Sequence, residues 1–113
     1  MSDCLFCKMA AGEIPVPQVA ENEHAFAIRD ISPRAPVHVL VIPKQHVAWA
    51  PDLGAAHGEM LAGMFGLATE VARVEGVTDS GYRLAFNVGE NAGMTIFHLH
   101  MHLLGGRLLG PEG

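Results

Sequence analysis

The sequence predicts an α+β domain in which a meandering antiparallel sheet packs on one main helix. Three observations carry this expectation. Apolar runs bounded by proline and glycine occur both before and after a single long stretch of helical periodicity, so the element order is strands, helix, strands. The break between the first two runs, Ser32-Pro33-Arg34-Ala35-Pro36, has the composition of a loop joining antiparallel neighbours. A length of 113 residues, finally, suffices for one domain with a small core, so residues 1–113 are expected to form a single unit.

The elements follow in chain order. Ile14-Pro15-Val16-Pro17 reads as an extended connector, because proline fixes its own torsion and pushes the preceding residue out of the helical region. Strands are expected from His24 to Ile31 and from Val37 to Ile42, with Pro43 ending the second. From about Leu53 to Val74, the residues Met60, Leu61, Met64, Phe65, Leu67, Ala68, Val71 and Ala72 recur at intervals of three and four, which marks one buried face of the main helix. The Gly76 to Gly81 region closes that helix, and Tyr82 to Val88 reads as a third strand. Gly89-Glu90-Asn91-Ala92-Gly93 is a turn-rich loop feeding a last strand, which Gly105 and Gly106 stop; the tail from Leu108 is too short to fold by itself.

Half the residues are apolar and 17% are charged, which excludes a disordered chain. That apolar surplus in so short a chain favours a homodimer. The formal charge is −5 and lysines and arginines are scattered, so no footprint for a nucleic-acid polymer is present, while a single nucleotide stays open as a ligand. No stretch approaches the roughly 20 apolar residues of a membrane span, and Met1-Ser2-Asp3-Cys4 has neither the basic region nor the apolar core of a leader. A cytoplasmic location is expected. Cys4 and Cys7 stand too close to staple a fold by a disulfide, so they read as thiols or metal ligands.

The stretch TIFHLHMHLLGG, Thr95 to Gly106, carries the strongest chemical signal. On a strand, His98, His100 and His102 point to one face at intervals of about 7 Å, while Leu99, Met101 and Leu103 enter the core on the other. Core packing explains the apolar half and does not ask for three imidazoles opposite. Histidine serves as metal ligand, general acid or base, or nucleophile, and the spacing by itself leaves all three open. Of the other histidines, His24 and His57 read as solvated, and His38 as a buried, hydrogen-bonded strand residue with a supporting role open.

The run HLHMHLL resembles the signature of the histidine triad (HIT) superfamily, in which histidines alternate with apolar residues. FCKMAAGEIP, AFAIRDISPRAPVHVLVIPKQH and LHMHLLGGR are similar, in the same order, to its Hint-like branch of nucleoside phosphoramidases, so the resemblance covers nearly the whole chain. It implies a HIT-like fold of about five strands, one main helix and a short N-terminal helix. It also implies hydrolysis of purine nucleoside 5'-phosphoramidates and related nucleotide conjugates through a nucleotidyl-histidine intermediate. His100 would attack the α-phosphorus, His102 would hydrogen-bond the phosphoryl oxygens, and His98 would complete the triad. Thr95 stands where the family usually has serine, and Asn87 and the amides around Gly93 would stabilise charge on the phosphate. Asp30 corresponds to the acid that holds the ribose hydroxyls, with Phe6, Ile28 and Ile31 lining the base. No metal is required for that chemistry.

A structural zinc is a separate implication of the same resemblance. Cys4 and Cys7 have the spacing of half a tetrahedral site, and bacterial and archaeal members complete it with the positions occupied here by His46 and His98. Two departures bear on specificity: Met94 replaces the usual glutamine, and the tail RLLGPEG lacks the tryptophan-bearing end of the eukaryotic members. The alternatives are a dinucleoside polyphosphate hydrolase of the same superfamily and a zinc-stabilised nucleotide-binding dimer that acts as an interaction module.

Overall fold

A computed structural model describes residues 3–113; Met1 and Ser2, part of the expected leaderless start, lie outside them. Helix α1 (Leu5–Ala10) is followed by strands β1 (Ala20–Glu21), β2 (Ala25–Arg29) and β3 (Val37–Pro43). Two single 3-10 turns, Ala50–Asp52 and Ala55–His57, lead into helix α2 (Gly58–Val74). Strand β4 (Tyr82–Ala85), a 3-10 turn at Glu90–Ala92 and strand β5 (Met101–Gly105) complete the order. All pairings are antiparallel in a five-stranded sheet of order β1-β2-β3-β5-β4, so the chain meanders through β3, and β5 then inserts between β3 and β4. No helix among the described residues is long and apolar enough to cross a membrane.

The two faces of the sheet have different covers. On one, α2 lays Met60, Met64, Leu67, Ala68, Val71 and Ala72 against Ala25, Ala27, Val39, Val41, Leu99, Met101 and Leu103. Small residues on β2 let the helix approach closely, and each fully buried methionine or leucine contributes about 1.5–3 kcal/mol of transfer free energy. On the other face Phe26, Ile28, Leu40 and Ile42 gather around Phe6 of α1, with Val16 of the Pro-rich connector and Ile96 at the margin. Alternation along β2 and β3 therefore feeds two apolar layers, the second thinner than the first.

Several boundaries differ from the expected ones, each for a local reason. The main helix begins at Gly58 and not near Leu53. Pro51 and Gly54 break the preceding segment into turns, where the Gly54 amide donates to His57 Nδ1 at 3.0 Å. His57 is thus a capping residue, and His24 lies against the bare α-carbon of Gly63, where an added Cβ would come within 2.7 Å of it. β2 and β4 stop short of Ile31 and Val88. The last strand begins only at Met101, because the register that pairs Val41 with Met101 would next need the amide that Pro43 lacks. Leu99 N–H donates instead to Val47 O at 2.7 Å. His98 and His100 consequently stand in the extended approach to β5, while the alternation itself holds, with Leu99, Met101 and Leu103 in the helix-side core.

Candidate active site and metal cluster

A cavity of about 280 Å³ opens on the α1 face of the sheet. Its walls bring together Phe6, Ile28, Asp30, Ile31, Asn87, Gly93, Thr95, His100 and His102, which are contributed by α1, the end of β2 and the turn after it, the segment after β4, the residue closing the Glu90–Ala92 turn, the approach to β5 and β5 itself. Of the residues expected to meet a ligand, only His98 is not on this wall; it lies behind His100, fully buried. Ile31 reaches the rim at 99% exposure, having passed out of β2 into the turn, so it adds nothing to the core. Leu5, Met9, Leu40, Met94 and Ile96 supply further apolar wall, and Arg29 and Arg34 supply its cations. A larger open groove of about 790 Å³, bordered by Glu75, Tyr82, Arg83 and Arg107, contains none of the histidines.

The proton positions on the histidines follow from backbone groups whose donor or acceptor role is fixed. His100 Nδ1 lies 2.8 Å from the His98 carbonyl, which can only accept, so Nδ1 carries the proton and the lone pair is on Nε2. The Arg34 amide donates to His38 Nδ1 at 3.1 Å, so neutral His38 carries its proton on Nε2 and gives it to His102 Nδ1 at 2.9 Å. Neutral His102 is thereby left with its proton on Nε2, and because Asn87 Nδ2, 3.4 Å away, is a donor as well, the two N–H groups do not pair and both stay open to an oxygen entering the cavity. His100 thus presents a lone pair and His102 an N–H, with ring centroids 5.1 Å apart.

Burial keeps the relay neutral. His102 is pushed down to about 4, chiefly by desolvation, with the neighbouring charges of His100, His38 and Arg34 acting in the same direction and Asp30 opposing. His38 is lowered by desolvation as well, against the pull of Asp30, whose Oδ2 is 3.5 Å from its Nε2. Asp30 Oδ1 accepts from the Ser32 amide at 2.8 Å, which aims the carboxylate. Asp30, His38 and His102 lie close enough to suggest a metal group. A metal on His38 Nε2 would force a proton onto Nδ1, against the Arg34 amide, so this trio is built as a hydrogen-bond relay.

The second cluster is built the other way. Cys4, Cys7, His46 and His98 place their ligand atoms within 4.8 Å of one another. His98 Nε2–H donates to the Pro43 carbonyl at 2.8 Å, which fixes the Nδ1 lone pair toward the cluster. From that Nδ1 the distances are 3.2 Å to Cys4 Sγ, 3.5 Å to Cys7 Sγ and 3.1 Å to His46 Nδ1, and Cys7 Sγ is 3.3 Å from His46 Nδ1. A tetrahedral ion with two sulfur and two nitrogen ligands separates its donors by roughly 3.3–3.8 Å, so these four residues could hold a metal with little movement. Desolvation also lowers His98, the His46 and His100 charges adding to it and the Pro43 bond opposing, which keeps the ring neutral as a ligand must be.

The residues that sequence reasoning left without a fixed role are His38, Arg34 and Pro43. His38 carried a signal, a polar residue inside the apolar run Val37–Pro43; the other two act through a backbone amide and a backbone carbonyl, which leave no mark on a side-chain pattern.

Comparison with known proteins places these observations among relatives. The HIT domain pattern matches residues 11–109. The purine nucleoside phosphoramidase of Escherichia coli strain K12 is 41% identical over 109 residues, covering 96% of this chain and 92% of that protein. A HIT family hydrolase from Legionella pneumophila superposes with a TM-score of 0.93 at 46% identity, covering 98% of this chain and all of that one. A zinc-bound histidine triad family protein from Mycobacterium smegmatis superposes with a TM-score of 0.79 at 34% identity, covering 93% of this chain and 76% of that one.

Proposed function

The chain belongs to the HIT domain family, and from that premise we propose that it hydrolyses purine nucleoside 5'-phosphoramidates and related nucleotide conjugates to the nucleoside monophosphate. The observation that carries this reading is the proton arrangement around His100. Its Nδ1–H is committed to the His98 carbonyl, so the Nε2 lone pair is available at the cavity wall for in-line attack on phosphorus. The bond formed is His100 N–P and the bond broken is P–N, the leaving nitrogen taking up a proton from solvent at the cavity mouth and departing as the amine. His102 donates its Nε2 proton to a phosphoryl oxygen, and the Thr95 hydroxyl and the Asn87 amide face the same charge. Water then attacks the phosphorus of the nucleotidyl-histidine and regenerates His100. The nucleoside lies between Phe6 and Ile28 with Asp30 on the ribose hydroxyls, and a bound purine covers Ile31.

A structural zinc on Cys4, Cys7, His46 and His98 belongs to the same proposal. It would supply a fixed tetrahedral tie between α1 and the approach to β5, and takes no part in the chemical steps. We also assign a homodimer, supported by the outer edge of β4, which has no neighbouring strand among the described residues, and by exposed Phe65 and Phe97. The whole of residues 1–113 acts as one domain in the cytoplasm.

The test is single-turnover hydrolysis of adenosine 5'-phosphoramidate, with the acid-quenched protein examined by mass spectrometry. A nucleotidyl adduct on His100 and released adenosine monophosphate are expected, both absent in His100→Ala while the variant stays folded. Wild-type rates in that variant, or turnover with the adduct on another residue, would overturn the mechanism.

A further inference from the structure

The geometry points to Cys4 and Cys7 as a reversible dithiol modification site for peroxides, through which oxidation loosens the nucleotide cavity. The inference rests on the zinc assignment above and goes beyond it.

Three observations carry it. The two sulfurs are within 4.8 Å of each other, in the Cys-X-X-Cys spacing at the start of a helix that disulfide oxidoreductases use for a reversible bond. Both cysteines are half-buried and both sulfurs meet buried His98, while Cys7 Sγ also borders exposed His46 at 3.3 Å, so Cys7 is assigned as the sulfur that meets peroxide first and Cys4 as the one that resolves it. The cluster is also mechanically joined to the cavity. Cys4 caps α1, and Phe6 on that helix meets the rings of His98 and His100 edge-on at 5.7 and 5.3 Å while lining the cavity with Leu5 and Met9.

The Cys7 thiolate attacks a hydroperoxide oxygen, the O–O bond breaks, and the alkoxide or hydroxide leaving group takes up a proton; the product is a sulfenic acid at Cys7. The Cys4 thiolate then attacks that sulfur, the S–S bond forms, and hydroxide leaves and is protonated to water. Two thiolates lose two electrons, and one peroxide is reduced to one alcohol (or water) and one water. With both sulfur ligands gone, two imidazoles cannot retain the ion, and the tie between α1 and His98 is lost. Phe6, Leu5 and Met9 then hold their wall less firmly, and nucleotide affinity falls.

The experiment uses the intact chain, analysed first for bound zinc and then treated with graded hydrogen peroxide. Three readings are taken at each step: zinc released to a chromogenic chelator, intact mass without reductant, and affinity for adenosine monophosphate by calorimetry. The expected result is release of the zinc in step with a mass loss of two hydrogens, a rise in Kd of about tenfold, and recovery of both with dithiothreitol and zinc. The Cys7→Ser variant should show no such mass loss and no fall in affinity that dithiothreitol reverses, since the sulfoxides formed on Met9 and Met94 of the cavity wall do not respond to that reductant. Zinc retained while peroxide oxidises the methionines, cysteines driven directly to sulfinic acid, or a disulfide formed with unchanged affinity would each overturn the inference. A chain that carries no zinc at the outset and binds none when it is supplied refutes the zinc reading instead. In that case the mass and affinity readings still decide whether disulfide formation reaches the cavity.

Discussion

Acidification from pH 7 to pH 4 should destabilise the fold by about 3 kcal/mol through His102 alone. In the unfolded chain a histidine titrates near 6.5, whereas burial beside His38 and His100 pushes His102 down to about 4. Above the unfolded value both states are neutral and stability does not depend on this group. Between 6.5 and about 4 the unfolded chain binds a proton that the native state refuses, so stability falls as the pH falls; below the native value both states are protonated and the slope ends. At about 1.36 kcal/mol per pH unit, that window is worth about 3 kcal/mol. His38, lowered for the same reason of burial, adds loss in the same direction. Urea unfolding at half-unit pH intervals, with a chelator present throughout so that metal release does not contribute, measures the slope. In His102→Gln the slope between pH 6.5 and 4 should flatten relative to wild type. Parallel slopes in the two proteins, or a wild type that gains stability on acidification, would refute the reasoning.

Three other perturbations test different parts of the structure. His38→Phe removes the donor to His102 Nδ1 and frees that ring to change tautomer; turnover should fall by about 10²–10³, as expected for loss of one oriented donor, with little change in KM, while an unchanged kcat would show the relay to be idle. Met64→Ala, at a fully buried position against the sheet, should cost about 2–5 kcal/mol in chemical unfolding, and a loss below 1 kcal/mol would mean that α2 does not pack as described. Gly106→Ala meets two penalties, a φ of +92° and a Cβ placed 2.9 Å from Pro36 Cβ, so a loss of about 1–3 kcal/mol is expected in thermal unfolding, against near neutrality if the turn can relax.

What the sequence disclosed follows the range of the interactions involved. The α2 face was legible because Met60, Met64, Leu67 and Val71 repeat at the period of one helix, and β3 because an apolar run ends at a proline. Nine of the sixteen residues that line the cavity follow from the family resemblance, whereas Leu5, Met9, Arg29, Arg34, Leu40 and Ile96 reach it only through the packing of α1, β2 and β3 and the loops beside them. Insertion of β5 between β3 and β4 was not legible, because pairing between segments far apart in the chain leaves no local pattern. Nor was the late start of β5, which depends on a missing amide at Pro43 in the partner strand. The neutral state of His102 also escaped the sequence, being a product of burial that only the assembled layers create.

The place of β5 has a consequence for how the molecule comes into being. Val37 pairs with Gly105 on one side and Tyr82 with Gly105 on the other, so neither β3 nor β4 has its full set of partners until the latest strand of the chain arrives. Closing so long a loop is entropically costly, which places this step late and makes folding slower than local contacts alone would allow. The histidine segment is the same stretch that locks the sheet. A partly folded chain therefore has no half-formed cavity wall, because closing the sheet and bringing His100 and His102 to the cavity are one event.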